Sequence, residues 1–136
     1  MTTESPTDHL SNEGVHGHLG IKIVEMTPEC VVLTMPIGPK VHQPFGILHG
    51  GVSALIAESA ASMGGMLNVP EGKVCVGTEI SASHLRSAAS GTLTATATPI
   101  RIGRTMQVWH IALTDQDGRG IADAKCSLAV IDQPTG

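Results

Sequence analysis

The spacing of apolar residues predicts one long helix, from about His49 to Gly65 or slightly beyond. One stripe of positions recurs every three or four residues, which is the period of a single helical face; these positions are Val52, Leu55, Ile56, Ser59, Met63 and Met66. Small residues such as Ala57, Ala61 and Gly64 flank the stripe. Small side chains let another backbone or a ligand come close, so we expect the rest of the chain to be organised around this helix.

Alternating and β-branched segments predict strands on both sides of the helix. Two form an expected hairpin at residues 19–27 and 30–37, and four follow at residues 73–85, 91–102, 105–114 and 121–131. We expect those four to pair antiparallel in hairpin succession. One helix cannot cover both faces of such a sheet, so the sheet should wrap around the helix in an α+β fold. Its exposed edges would favour pairing with a second copy.

Length, charge and composition limit the number of domains, the partners and the location that we expect for this protein. The 136 residues suit one domain, which we place at residues 15–136 after a polar N-terminal tail, expected to be mobile, at residues 1–14. The formal charge of −4 argues against nucleic acid as a partner. No signal segment or apolar run of membrane-spanning length is present, which favours a cytoplasmic protein without membrane contact.

Cysteine and histidine spacing gives no metal site. Three well-separated cysteines form no C-x-x-C pair, so we interpret them as buried free thiols in a reducing compartment. His9, His16 and His18 have no acidic or cysteine partner at ligand spacing, and no metal is expected there.

Glu58 is the first candidate for chemistry. It lies among apolar and very small neighbours, and a carboxylate there is costly to bury unless it is paired or used. A general base or nucleophile is one interpretation, and a glutamate facing solvent is the other. Ser62 lies four residues later on the same edge of the helix, where it could hold a water for Glu58 or simply pack.

The loop that leads into the helix is the second candidate. Residues 43–51 contain three glycines, and a helix N-terminus offers free N–H groups and a positive dipole end, as an oxyanion site requires. Gln43 and His49 bracket this loop, where such residues more often fix a loop by hydrogen bonds. Arg86, Arg104 and Thr105 lie at strand ends and together could receive phosphates.

These residues resemble a known family. Gln43-Pro-Phe-Gly-Ile-Leu-His49-Gly50-Gly51, followed by Ala57-Glu58-Ser59 and Ser62, is similar to the hotdog-fold acyl-CoA thioesterases. Within them it most resembles the Arthrobacter-type 4-hydroxybenzoyl-CoA branch, which includes the menaquinone- and enterobactin-pathway thioesterases. The likeness continues through residues 77–86, 103–105 and 117–119, and so covers nearly all of the chain after residue 18.

The resemblance implies a fold, an assembly and a set of roles. The hotdog fold wraps one long central helix in an antiparallel sheet, and its members form homodimers with shared active sites that pair into tetramers. By this resemblance Glu58 is the catalytic carboxylate, the Gly50 N–H polarises the thioester carbonyl, and Ser62 positions water. Other implied roles fall to Gln43 and His49 in shaping the site from the partner subunit, to His84, Met63 and Phe45 in the acyl pocket, and to Arg86, Arg104 and Thr105 at the coenzyme A phosphates.

The expected activity is therefore hydrolysis of an acyl-CoA, and the resemblance favours an aromatic acyl group. Coenzyme A is then part of the substrate, and no separate cofactor is expected. A hotdog sensor that binds acyl-CoA without hydrolysing it is the alternative, although sensors of that type lack the carboxylate that Glu58 supplies. Hotdog dehydratases and hydratases carry differently spaced motifs that are not found here.

Overall fold

A computed structural model describes residues 8–134, and for residues 8 and 9 the backbone alone. Three α-helices, one short 3-10 turn at Pro39–Val41 and six strands make up this part of the chain. They follow one another as α1 (Asp8–Asn12), α2 (Gly14–Leu19), β1 (Lys22–Thr27), β2 (Cys30–Ile37), α3 (Gly50–Met66), β3 (Lys73–His84), β4 (Gly91–Ile102), β5 (Met106–Thr114) and β6 (Gly120–Asp132).

The six strands form one antiparallel sheet in the order β1-β2-β4-β5-β6-β3. α3 contacts all six strands, so the predicted arrangement of a central helix wrapped by an antiparallel sheet is confirmed. Inward-pointing residues alternate along the strands, as they do in a sheet with one buried face. In β2 and β5 these are Val31, Leu33, Met35, Ile37, Gln107, Trp109, Ile111 and Leu113.

The position of β3 differs from the expected hairpin succession. β3 pairs with β6 and lies at the sheet edge, far from β4, which follows it in sequence. Beyond the strand, the amide of Leu85 still donates to the carbonyl of Ile121. The chain then crosses the end of the sheet, where the Ala88 carbonyl accepts from the Leu48 amide at 2.8 Å. This six-residue crossing replaces the tight turn that a β3–β4 hairpin would need.

The buried face of α3 also differs from the predicted stripe. Ile56 and Met63 are buried as expected, but Met66 is 42% exposed. The residues that face the sheet are mainly small: Ser53, Ala57, Ala60, Ala61, Gly64 and Gly65. Small side chains bring the helix axis close to the strands, so this face buries well although its residues are weakly apolar.

Trp109 and Gln107 fix the end of α3 on the sheet. A Cβ atom on Gly64 would lie 2.4 Å from Cη2 of the Trp109 ring, so only glycine permits this approach. The Trp109 Nε1–H donates to Oε1 of Gln107 at 2.9 Å, and Gln107 Nε2 donates to the Gly65 carbonyl at 3.2 Å. All three polar groups are buried and partnered, which holds α3 in one position on the sheet.

Two short helices lie in the N-terminal region. Residues 1–7 of the expected tail lie outside the described residues, but α1 and α2 occupy Asp8–Asn12 and Gly14–Leu19. Leu10 and Leu19 pack against the hydrophobic core, and this contact gives the two short helices a fixed place. Within residues 8–134 no helix has the length and apolarity to cross a membrane.

Candidate active site

Glu58 and Ser62 line the same cleft, as their spacing on α3 predicted. The cleft has a volume of about 420 Å³ and is bounded by Leu10, His16, Met26, Glu58, Ser59, Ser62, Met63 and Met66. Glu58 is half-buried, and within residues 8–134 it forms neither an ion pair nor a hydrogen bond. Its carboxylate is thus available to a ligand or a water in a cleft whose other walls are mostly apolar.

The edge strand β3 passes directly beside the Glu58 carboxylate. A Cβ atom on Gly77 would lie 3.0 Å from Cδ and 3.2 Å from Oε2 of Glu58, so glycine keeps space open here. A β-bulge between Gly77 and Glu79 interrupts the pairing of β3 with β6 at this point. Such bulges change the direction of a strand and the face on which its side chains lie.

The start of α3 forms a second cleft, of about 370 Å³. Its lining includes Gln43, Gly50, Ser53, His84 and Arg86. Gly50 is the first helical residue, and its amide has no partner within residues 8–134. This N–H points out of the positive end of a 17-residue helix, where it can donate to a ligand oxygen.

Three polar side chains set the shape of this second cleft. The His49 Nδ1 accepts from the Gly51 amide at 2.8 Å and so caps α3. The Gln43 Oε1 accepts from the Phe45 amide, which holds the loop closed, as one interpretation of the sequence proposed. His84 lies so close to Gly50 that a Cβ there would be 2.8 Å from its Nε2. The end of β3 therefore lies close against the start of α3.

Within one chain the two clefts are separate. Gly50 and Glu58 are eight residues apart on α3, which at 1.5 Å per residue is about 12 Å along the axis. An oxyanion donor and an attacking group must both lie about 3 Å from the same reacting centre. A single chain therefore does not bring the Gly50 amide and the Glu58 carboxylate to one thioester.

The predicted phosphate-binding residues are divided between sites. Arg104 and Thr105 line a third cleft, of about 430 Å³, together with Lys73. Arg86 lies at the Gly50 cleft instead. In the described part of the chain neither arginine forms an ion pair. Of the predicted acyl-pocket residues, Met63 lines the Glu58 cleft and His84 the Gly50 cleft, whereas Phe45 is 88% exposed on the loop.

Two of the three cysteines are buried free thiols, as the sequence predicted. Cys75 and Cys126 are buried, whereas Cys30 is also free but only partly buried, so the prediction of burial is wrong for Cys30. Burial, with further contributions from the Glu58 carboxylate and from Cys75, raises the pKa of the Cys126 thiol to about 11. Cys126 therefore stays protonated at neutral pH and is a poor nucleophile, although it lies near Glu58. Residues 8–134 contain no cluster of three His, Cys, Asp or Glu side chains that could hold a metal ion.

Sequence reasoning missed the N-terminal wall of the Glu58 cleft. The sequence pattern assigns Leu10 to the tail and offers His16 only as an unsupported metal ligand, yet both residues line this cleft. The His16 Nε2 lies 2.7 Å from Oγ of Ser59, and its Nδ1 lies 2.5 Å from the Leu10 carbonyl oxygen. No spacing rule connects residues 43 positions apart, so only the folded structure reveals this pair.

A long helix wrapped by an antiparallel sheet is the hotdog fold, and the Glu58 carboxylate, unpaired among residues 8–134, is a group of the kind that a thioester hydrolase needs. A sequence profile described as the thioesterase superfamily matches residues 45–122. This chain therefore belongs to the thioesterase superfamily, and it is a thioester hydrolase.

Similar proteins support this assignment. The 1,4-dihydroxy-2-naphthoyl-CoA hydrolase of Listeria monocytogenes is 42% identical over 117 residues, which cover 86% of this chain and 95% of that protein. The proofreading thioesterase EntH of Cronobacter turicensis is 42% identical over 114 residues, covering 84% of this chain and 83% of its own. A crystal structure of a thioesterase from Haemophilus influenzae has a TM-score of 0.89 at 39% identity, covering 97% of this chain and 92% of that one.

Proposed function

We propose that this protein hydrolyses the thioester of an aromatic acyl-CoA to the free acid and coenzyme A. The observation that carries the proposal is the Glu58 carboxylate, which is unpaired within the described residues and lies in a cleft lined otherwise by Met, Leu, His and Ser side chains. The name of the Listeria relative, a hydrolase of an aromatic acyl-CoA, supports the substrate class. Met26, Met63 and Met66 make the cleft apolar and adaptable, which suits a ring.

Glu58 can act in either of two ways to give the free acid and coenzyme A. As a nucleophile, its carboxylate attacks the thioester carbon, coenzyme A leaves as the thiol after protonation, and water then cleaves the resulting mixed anhydride. As a general base, it takes a proton from water while that water attacks the same carbon. Both routes need an ionised carboxylate, and in both Ser62, on the same wall of the cleft, can hold the water. The developing oxyanion accepts from the Gly50 amide.

We infer that the complete site forms between two copies of the chain. β3 is an edge strand, and it carries the exposed residues Val76, Gly77, Thr78 and Glu79 beside the Glu58 cleft. An unpaired edge of this kind favours pairing with a second strand. Two copies of β3 paired antiparallel about a two-fold axis would extend the sheet across both protomers.

The register of that pairing follows from the two clefts. Gly77 lies beside the Glu58 carboxylate and His84 lies beside Gly50. Both residues are on the face of β3 that packs against α3. The bulge after Gly77 makes this shared side possible, since Ile80 and Ala82 also point to the core. A two-fold axis near residues 80–81 sets Gly77 opposite His84 of a second copy. That register joins the Glu58 cleft of one protomer to the Gly50 cleft of the other.

The remaining predicted contacts concern coenzyme A. Arg86 lies in the Gly50 cleft, and Arg104 and Thr105 lie in the third cleft, so we propose that they meet the phosphates from different sides of the assembled site. We also propose that the dimers pair into tetramers and that the enzyme works in the cytoplasm, as the family resemblance implies. No metal or separate cofactor enters this scheme.

The test is thiol release from a panel of acyl-CoA thioesters with wild type, Glu58→Ala and Glu29→Ala. Glu29 is an exposed glutamate in the turn between β1 and β2, away from the proposed site, and serves as the matched control. The panel comprises benzoyl-, 4-hydroxybenzoyl-, phenylacetyl-, 1,4-dihydroxy-2-naphthoyl-, hexanoyl- and palmitoyl-CoA. We expect fastest release from an aromatic member and a loss on the order of 10²–10⁴-fold in Glu58→Ala alone, the usual contribution of a general base.

Two outcomes would contradict the proposal. Equal turnover by wild type and Glu58→Ala would remove Glu58 from the mechanism. Tight binding of acyl-CoA without thiol release by the wild type would favour the non-catalytic sensor, the alternative that the sequence left open.

A further inference from the structure

The N-terminal helices close one side of the cleft that holds Glu58. α1 and α2 pack tightly, since a Cβ on Gly17 would lie 2.4 Å from the Asn12 carbonyl oxygen. From this pair of helices Leu10 and His16 line the cleft together with Met63 and Met66. His16 thus adds a polar side chain to a cleft that also has several apolar walls.

The hydrogen bonds of His16 determine where its proton lies. The Leu10 carbonyl can only accept, so the His16 Nδ1 donates to it. A neutral ring then has a lone pair at Nε2, and this nitrogen accepts from the Ser59 hydroxyl at 2.7 Å. The Ser59 hydrogen is thereby occupied, and the Ser59 Oγ is left with lone pairs that can only accept. Ser59 thus presents an oriented hydrogen-bond acceptor to the cleft.

Ser59 directly follows Glu58 on α3, and both line the same cleft. We propose that Ser59, oriented by His16, accepts a hydrogen bond from a hydroxyl group on the acyl moiety and so determines specificity for hydroxylated acyl groups. His16 is a positioning residue in this scheme, because it acts through Ser59. The inference rests on the proposed function, since the acyl group of the substrate must enter the Glu58 cleft.

The experiment compares kcat/KM for benzoyl-CoA with that for its 2-, 3- and 4-hydroxy derivatives. Wild type should prefer one hydroxylated isomer. Ser59→Ala and His16→Phe should each reduce that preference roughly three- to tenfold, the usual value of one neutral hydrogen bond. Ser59→Thr keeps a hydroxyl and should restore most of the preference. The matched control is His18→Phe, the same substitution on an exposed α2 residue outside this cleft.

The ratio of kcat/KM for a hydroxylated substrate to kcat/KM for benzoyl-CoA separates specificity from stability. A general loss of folded protein lowers both rates equally and leaves this ratio unchanged. If His16→Phe fails to fold, as judged by circular dichroism, Ser59→Ala and Ser59→Thr decide the question. A wild type without preference, or variants with an unchanged ratio, would overturn this assignment and leave the proposed hydrolysis intact. Absence of thiol release from every acyl-CoA would instead refute the proposed function, and the assignment with it.

Discussion

Gly64 gives the sharpest test of how the small face of α3 positions the helix. In Gly64→Ala the new Cβ would lie 2.4, 2.7 and 2.9 Å from three atoms of the Trp109 six-membered ring. The ring cannot move away easily, because Trp109 is fully buried and its Nε1–H is bonded to Gln107. We therefore expect Gly64→Ala to destabilise the fold even though alanine favours a helix.

The size of the effect follows from two opposing contributions. Overpacking a core typically costs about 1–3 kcal/mol, and the rigid surroundings of this ring favour the upper value. Replacing a glycine inside a helix by alanine returns up to about 1 kcal/mol, which is an upper bound for Gly64 because it lies in the last turn of α3. The net loss in free energy of unfolding is then about 2 kcal/mol, which for a domain of this size lowers Tm by about 8 °C.

Urea unfolding followed by circular dichroism at one fixed protein concentration measures this loss. A double-mutant cycle with Trp109→Phe identifies the contact, because phenylalanine lacks the distal ring atoms that the new Cβ would meet. In that background Gly64→Ala should cost about zero or less. Gly38→Ala is the control, since a Cβ there meets nothing within 4 Å. An equal loss in both backgrounds would refute the reasoning.

Two further predictions concern titratable groups. Cys126, with a pKa raised to about 11, should resist iodoacetamide at pH 8 in the folded protein, whereas the half-buried Cys30 reacts first; equally fast labelling, measured by mass spectrometry, would contradict this. The Arg119 backbone N–H, and then further donors in the β5–β6 turn, lower the pKa of the buried Asp115 below its ordinary value of 3.8. The stabilisation from the ionised Asp115 is complete above pH 3.8 and is lost as pH falls through the lowered pKa. The difference in Tm between wild type and Asp115→Asn should therefore narrow in acid. A difference in Tm that stays constant with pH would exclude this contribution of Asp115.

Local patterns in the sequence were enough to predict most of the elements. Alternation of apolar and polar residues, together with turn glycines, predicted the bounds of five strands nearly to the residue. This works because every second side chain of a half-buried strand faces the core. The pairing of β3 with β6 could not be predicted in this way, since the partner of a strand depends on tertiary contacts. The inward face of α3 escaped prediction because alanine and glycine bury well without being strongly apolar.

The candidate site likewise has parts that local sequence patterns predict and parts that depend on tertiary packing. Glu58 and Ser62 share a cleft because their spacing is local to one helix. Within the described residues the Gly50 amide has no partner because it lies at a helix start. His16 and Ser59 meet only through the packing of α2 on α3, which no local pattern encodes. The distance of about 12 Å between Gly50 and Glu58, by contrast, follows from their spacing on one helix, and it is the reason to expect a shared site.

The most direct test of that shared site combines two inactive variants in one dimer. Glu58→Ala removes the carboxylate, and Gly50→Pro removes the amide hydrogen at the first helical position, where proline is well tolerated. Gly50→Ala, which adds a Cβ but keeps the N–H, controls for the contact with His84.

Each variant alone should be inactive in thiol release. A hybrid dimer, isolated with two different affinity tags, carries both lesions in one site and none in the other if the sites are shared. It should then recover about half of the wild-type rate. A hybrid as inactive as its parents would place Glu58 and Gly50 of the same chain in each site and contradict the account.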